Sequence, residues 1–104
     1  TFVNENDEVV FFTEGKRIFP RSESVIGRKV QNCHPPKSID AVTDILESFK
    51  NNESSLAEFW IDHHSKKVLI RYIAVRDEEE KYLGTLEVTQ DITNIQKLEG
   101  EKRL

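Results

Sequence analysis

The sequence predicts an α+β domain in which helices pack on one face of an antiparallel β-sheet. Three observations lead to this fold class. The segment 39–49 repeats its apolar residues at helical spacing, whereas three later segments alternate apolar and polar residues with the period of a strand. Short polar turns join those three segments, which makes them an antiparallel meander. Two short apolar segments near the N-terminus supply the remaining strands.

The N-terminal third of the chain predicts two strands followed by short helices. The segments 2–4 and 9–12 are apolar and are separated by a polar turn. We expect one helical turn or a 3₁₀ turn at 16–19, which ends before Pro20 because the residue that precedes a proline disfavours the helical conformation. A second short helix is expected at 22–26, where a glycine follows and stops it.

The middle of the chain predicts its longest helix. The residues Pro35 and Pro36 suit the start of this helix, and Ser38 is the expected N-cap. The apolar face has the spacing of an amphipathic helix and is formed by Ile39, Val42, Ile45, Leu46 and Phe49.

The last three strands are predicted at 57–61, 68–75 and 82–92. Arg71 favours the solvated face of the second strand, so the opposite set is expected to face the core: Val68, Ile70, Tyr72 and Ala74. The apolar set of the third strand contains Leu86 and Val88, which we expect on the buried face. We also expect cross-strand ion pairs in which Arg71 and Arg76 meet Glu58 and Glu87.

Composition and charge limit the possible classes of function. The 104 residues suffice for one domain, and a formal net charge of −4 argues against nucleic acid as a partner. No apolar segment approaches the roughly 20 residues of a membrane span, the N-terminus is not a secretory signal, and one cysteine excludes an internal disulfide. We therefore expect a cytoplasmic protein without a membrane partner. Because the chain contains no Met, we expect it to be a segment of a longer protein.

Several short motifs make the sequence resemble the PAS sensory domains over residues 2–93. The motifs are Gly27-Arg28, His34-Pro35-Pro36, Arg76-Asp77 leading into Gly84, and Gln90-Asp91-Ile92-Thr93. The last of them is similar to the Asp-Ile-Thr signature that ends many PAS domains. The segment 27–38 is similar to the C-terminal PAS module of prokaryotic proteins that have a hemerythrin-like domain upstream.

The resemblance implies a fold, a division of the chain and a function. The fold is a five-stranded antiparallel sheet in the order 2-1-5-4-3, with residues 1–93 as the PAS domain and 94–104 as an exit helix or tail. The implied function is that of a sensory module and not an enzyme. Its pocket between the long helix and the sheet takes haem, flavin, a metabolite, a divalent ion or nothing. We expect the pocket to contain Cys33, His34, Ile39, Val42, Ile45, Leu46, Phe49, Phe59, Ile61, Ile70, Tyr72, Leu86 and Val88.

Cys33 and His34 also have a purely structural interpretation. Both residue types ligate zinc, and a histidine near this helix is a familiar axial ligand in haem-binding PAS domains. Sequence neighbours rarely face one metal together, so we favour a packed cysteine and a histidine bonded to the backbone over metal ligation. We expect no catalytic residues.

The outer face of the sheet predicts an interface. It is unusually apolar for a solvated face, which indicates that the exit helix, another subunit or a neighbouring domain covers it. The residues concerned, with two from the C-terminal segment, are Trp60, Leu69, Ile73, Val75, Ile95 and Leu98. A homodimer, an upstream domain of the same protein, or both are the expected partners. A ligand-free dimerisation module is therefore the alternative function.

Overall fold

The structure is a computed structural model that describes residues 1–104. It contains five strands, one α-helix and three 3₁₀ turns. The strands are β1 (Phe2–Asn4), β2 (Val9–Phe11), β3 (Leu56–His63), β4 (Lys66–Arg76) and β5 (Tyr82–Asp91), the helix is α1 (Pro36–Lys50), and the 3₁₀ turns are Glu23–Val25, Val30–Cys33 and Ile95–Lys97.

The five strands form one sheet in the order β2-β1-β5-β4-β3. Every pairing is antiparallel. The expected α+β class and strand order are therefore confirmed. None of the helices has the length and apolar character that a membrane crossing requires.

The core lies between α1 and one face of the sheet, here called the inner face. The strand β4 faces it with the expected residues, since Val68, Ile70 and Tyr72 are buried. Those three residues form one cluster with Phe49, and Ala74 packs against this cluster. A second cluster joins α1 to the N-terminal strands and consists of Val3, Val9, Val30, Val42 and Leu46. The core is thus divided into two parts.

A two-residue turn sets the register of the β3–β4 hairpin. His64 and Ser65 both have positive φ angles, of 48° and 65°. Two successive residues of this kind match the right-handed twist of the flanking strands. His63 consequently pairs with Lys66, and the pairing continues without interruption to the other end of β3.

Arg76 connects the end of β4 to the end of α1. Its guanidinium group donates hydrogen bonds to Asn52 Oδ1 at 2.8 Å and to Ser55 Oγ at 2.7 Å. It also donates to the carbonyl oxygens of Phe49 and Ser54, both at 2.9 Å. Carbonyl groups at the end of a helix lack partners within the helix, so this arginine supplies donors that the loop needs.

Two local predictions are wrong. The segment 16–19 forms bends instead of a helical turn, because Arg17 organises it from its side chain, donating hydrogen bonds to the carbonyl oxygens of Thr13 and Phe19. Ser38 is not the N-cap of α1. Pro35 precedes the helix and the next proline occupies its first position, where the missing N–H group costs nothing.

The C-terminal segment contains little regular structure. A single 3₁₀ turn spans Ile95–Lys97, and residues 98–104 form neither helix nor strand. The division between a domain that ends at residue 93 and an exit helix or tail stays a prediction.

Candidate functional site

A cleft opens between the helical side of the domain and the inner face of the sheet. Its volume is about 560 Å³. One wall comes from α1 and from the 3₁₀ turn that precedes it, and the opposite wall comes from β3, β4 and β5. The residues of the predicted pocket that line it are Cys33, His34, Val42, Ile45, Phe59, Ile61, Ile70 and Tyr72.

Three residues of the predicted pocket lie elsewhere on the helix. Leu46 lines a much smaller cavity next to the cleft, with a volume of about 10 Å³. Phe49 is completely buried in the core. Ile39 is half-buried and does not line the cleft. The helix therefore contributes to the cleft mainly through its first three turns.

Leu86 and Val88 face away from the cleft. They lie opposite Ile73 and Arg71 in the register of β4 and β5, and residues directly opposite one another share a face of the sheet. The expectation that they are buried with the core is therefore wrong. The inner face of β5 instead presents polar residues, including Glu87, which lies opposite Tyr72.

An ion pair explains why Glu87 is tolerated on the inner face. Its Oε2 atom lies 3.3 Å from Nη2 of Arg21, and the two side chains are only 10% and 11% exposed. A buried carboxylate is costly unless it is paired in this way. Both residues line the cleft. The expected pairing of Glu87 with Arg76 is wrong, because Arg76 is engaged at the end of α1.

Sequence reasoning missed the contribution of Arg21 and Glu87 to the cleft. The available signal was the position of Glu87 within β5, since a charge on the face that packs against a helix requires a partner. Nothing local identifies that partner, because Arg21 lies 66 residues earlier in a segment without regular structure.

His34 and Tyr72 form a second polar pair in the cleft. The Nδ1 atom of His34 lies 3.0 Å from the carbonyl oxygen of Val30. Because a carbonyl only accepts, Nδ1 carries the proton, and in the neutral ring Nε2 is an acceptor. Nε2 lies 3.1 Å from the hydroxyl oxygen of Tyr72, which is therefore the donor. Burial, followed by the nearby Glu87 carboxylate, raises the pKa of Tyr72 above its ordinary value, so the phenol stays neutral.

The geometry does not favour metal or haem ligation at Cys33 and His34. The chain contains no cluster of three or more His, Cys, Asp or Glu residues that could hold a metal ion. Cys33 is half-buried and its thiol lies 3.9 Å from the carbonyl oxygen of Lys29. His34 would have to give up its bond to Tyr72 to become an axial ligand. A structural role for His34 therefore fits the observed contacts better than ligation.

The outer face of the sheet is apolar and partly exposed. Trp60 is 65% exposed, and Leu69, Ile73 and Val75 are half-buried on the same face. Leu86 and Val88 extend this apolar surface, here called the outer patch. Two further residues of the predicted interface, Ile95 and Leu98, are exposed in the C-terminal segment.

Arg71 lies at the centre of the outer patch. It is directly opposite Glu58 in the register, as expected, but no ion pair joins the two side chains. Its Nε atom is buried without a hydrogen-bond partner. The patch therefore contains one polar group whose hydrogen bonding is incomplete.

Comparison with known proteins is informative at the level of family and fold. A family model for the PAS domain matches residues 1–93. The chain is similar to the crystal structure of a C-terminal domain from Streptococcus mutans, with 33% identity and a TM-score of 0.86, over 94% of this chain and 78% of that one. It is also similar in fold to the PAS domain of a protein from Colwellia psychrerythraea, with 17% identity and a TM-score of 0.62, over 89% and 84% of the two chains. The curated proteins contain no match.

Proposed function

The chain belongs to the PAS domain family, and we propose that it is a sensory module that binds a small molecule in the cleft between α1 and the sheet. PAS domains are generally sensory or interaction modules. The observation that carries the proposal is the exposure of apolar side chains on the inner face. Phe59 and Ile61 face the core side of β3, yet each is 37% exposed, because neither core cluster closes over them.

The size and lining of the cleft support a small-molecule site. Its volume of about 560 Å³ lies within the range of roughly 300–1,000 Å³ that is typical of ligand pockets. The walls are mainly apolar, and a few polar groups converge from Arg21, His34, Tyr72 and Glu87. This is the usual composition of a ligand site, in which apolar surface supplies affinity and polar groups supply orientation.

The junction after β5 offers a route for the signal. The N–H group of Ile92 donates to the carbonyl oxygen of Lys67 at 2.8 Å, and the N–H group of Lys67 donates to Thr93 Oγ1 at 2.9 Å. The exit segment is thus attached to the first residues of β4, a strand that forms part of the sheet wall of the cleft. A ligand that favours one arrangement of β4 and β5 would shift the population of conformations at residues 92–98.

The outer patch supports a second candidate function, that of a ligand-free interaction module. Contiguous exposed apolar patches often mark sites of protein–protein contact, whereas single exposed apolar residues need no explanation. Trp60 is the most exposed large apolar residue of the sheet, and tryptophan is enriched among residues that dominate binding energy. In this alternative a second copy of the chain or a neighbouring domain covers the patch.

Native mass spectrometry of protein purified without denaturation, with a visible absorption spectrum of the same sample, tests the proposal. A bound mass or a cofactor absorption band supports the sensory function. An apo protein that is dimeric favours the interaction module instead.

Two adjacent aromatic residues provide matched variants for the same experiment. Phe59 and Trp60 lie next to each other in β3 but on opposite faces of the sheet. For a sensory module, Phe59→Ala should reduce the bound fraction and Trp60→Ala should leave it unchanged. For an interaction module, Trp60→Ala should shift the dimer to monomer and Phe59→Ala should not. Equal loss of ligand in both variants would contradict the assignment of the cleft as the binding site.

A further inference from the structure

The polar end of the cleft combines a guanidinium group that has unpaired donors with one available acceptor. Arg21 lines the cleft, and only the Nη2 atom of its guanidinium group has a hydrogen-bond partner, which is Glu87. A buried donor of a charged group is costly when it is left unpaired. On the same inner face, the hydroxyl of Tyr72 uses its proton in the bond to His34, so its oxygen retains lone pairs that can accept. A ligand group that both accepts and donates would bond to both side chains.

The charge of this end is already balanced. Glu87 neutralises Arg21 through the ion pair of 3.3 Å, and both groups are about nine-tenths removed from solvent. A ligand carboxylate that approached Arg21 would meet the Glu87 carboxylate, or would displace it and leave it buried without a partner. Both outcomes are unfavourable, because like charges repel strongly in a poorly solvated site and an unpaired buried charge is costly. An uncharged acceptor incurs neither penalty.

The remaining walls select for apolar surface, part of it aromatic. Phe59 and Tyr72 face each other with ring centroids 5.7 Å apart at an angle of 49°. Ile61 and Ile70 extend this wall, and Ile45 lies on the opposite wall, which α1 forms. A flat ring or a short hydrocarbon body would remove these side chains from water, and tilted aromatic contacts add to that gain.

Building on the proposed binding function of the same cleft, we propose that its ligand is an uncharged, mainly apolar molecule whose polar end is a carboxamide or a related carbonyl group with an adjacent N–H. The carbonyl oxygen accepts from the guanidinium group of Arg21, and the N–H group donates to the hydroxyl oxygen of Tyr72. The Arg21–Glu87 ion pair stays intact and excludes the corresponding carboxylic acids, which are ionised at neutral pH. The ion pair thus determines specificity through charge.

Matched pairs of amide and acid probes test this ligand class. We would titrate the ¹⁵N-labelled protein with phenylacetamide and phenylacetate, and with cinnamamide and cinnamate, following the backbone amide resonances of β3 and β4 by NMR at neutral pH. The expected result is that each amide binds at least about tenfold more tightly than its acid, because like charges across a binding site are strongly disfavoured. Acids that bind as tightly as their amides overturn the inference and leave the proposed binding function standing. If no probe perturbs the resonances of the cleft, the inference is wrong, whereas the proposed binding function is decided separately by native mass spectrometry.

A charge-removing variant tests the role assigned to the ion pair. Glu87→Gln leaves Arg21 as an uncompensated cation, so the acids should gain at least about tenfold in affinity relative to the amides. The matched control is Glu58→Gln, which removes the same charge from the outer face of β3 and should leave the preference unchanged. An unaltered preference in folded Glu87→Gln would contradict the mechanism. The comparison of amides and acids in the wild-type protein decides the ligand class even if this variant does not fold.

Discussion

Substitution of Gly84 by alanine should destabilise the domain substantially. Gly84 lies at the point where β1 pairs with β5, opposite Asn4. A Cβ atom added to Gly84 would lie 2.2 Å from the carbonyl oxygen of Val3 and 2.6 Å from Cζ of Phe2. Ordinary contacts between carbon and oxygen are about 3.3 Å or longer, so the added atom is roughly 1 Å too close to the oxygen. The ring of Phe2 can rotate away, whereas the backbone oxygen moves only if β1 moves.

The structure gives the size of the effect. Relief of the contact separates β1 from β5 and withdraws Val3 from the core, where it is only 2% exposed. Overpacking of this kind costs about 1–3 kcal/mol. Loss of part of the burial of Val3, which contributes roughly 1.5–3 kcal/mol when complete, adds to that cost. We expect the free energy of unfolding to fall by about 2–4 kcal/mol, which is a large part of the roughly 5–15 kcal/mol of a typical domain.

Equilibrium urea denaturation followed by far-ultraviolet circular dichroism measures this loss. The midpoint should fall while the slope stays constant, which identifies a change of stability and not of unfolding mechanism. The matched control is Gly100→Ala, where a Cβ atom meets nothing within 4 Å. Gly100 has a φ of 62°, which alanine disfavours, but its segment has no regular structure and can change conformation without loss of contacts. Its effect should stay below about 0.5 kcal/mol. If Gly84→Ala were equally mild, the close approach of Val3 would not be the reason that glycine occupies this position.

Three further predictions concern the helix end, the strand end and the core. Arg76→Ala should lower the free energy of unfolding, measured in urea, by about 2–4 kcal/mol, because hydrogen bonds of a charged donor are lost. Arg76→Lys should recover less than half of that free energy, because an ammonium group lacks the planar, forked arrangement of donors of a guanidinium group. Hydrogen bonds from the hydroxyl and then the N–H group of Thr93 lower the pKa of Asp91. The stability that Asp91 contributes is therefore present above its unfolded pKa of about 3.9 and disappears as the pH falls through the lower folded value. Urea denaturation of wild type and Asp91→Asn between about pH 2 and 7 should show a constant difference above about pH 5 that vanishes in acid, whereas a difference that persists at the lowest pH would contradict this origin. Phe49→Ala, at a position that is 0% exposed, should cost about 3–5 kcal/mol, whereas Phe11→Ala, at a position that is 59% exposed, should cost less than about 1 kcal/mol in thermal denaturation.

The two faces of the sheet offer different candidate functions from the same strands. Along β3, Phe59 faces the cleft and its neighbour Trp60 faces the outer patch. Because side chains alternate along a strand, a ligand that alters the twist or position of β3 would also move the residues of the outer patch. Ligand binding and protein contact are therefore compatible functions, and the variants at residues 59 and 60 measure each of them separately.

The sequence predicts correctly which side chains of β4 face the core, but it does not do so for β5. In β4 all the residues of one set are apolar and Arg71 marks the other, so one assignment satisfies burial. In β5 the apolar set contains Leu86 and Val88, and burial alone assigns that set to the core. The structure reverses the assignment because Thr85 is buried with its hydroxyl bonded to Tyr82 and because Glu87 is paired with a distant arginine.

For α1, too, the sequence predicts the buried face but not which of its residues line the cleft. The spacing of Val42, Leu46 and Phe49 predicted the buried face correctly, because helical periodicity is a local property. The predicted start of the helix is too late, because Ser38 is a candidate cap, whereas Pro36 occupies the first position of the helix. Which of the buried residues would also line a cleft depends on how closely α1 approaches the sheet, and no local pattern encodes that distance.

The order of elements, the amphipathic helix, the meander and the Asp-Ile-Thr motif at residues 91–93 all follow from interactions between residues close in the chain. They were sufficient to predict the α+β class and the family. The cleft depends on contacts over long separations: Arg21 with Glu87, His34 with Tyr72, and the incomplete closure of two core clusters. Such contacts form only when the whole chain is folded, so the chemistry of the candidate site became visible only in three dimensions.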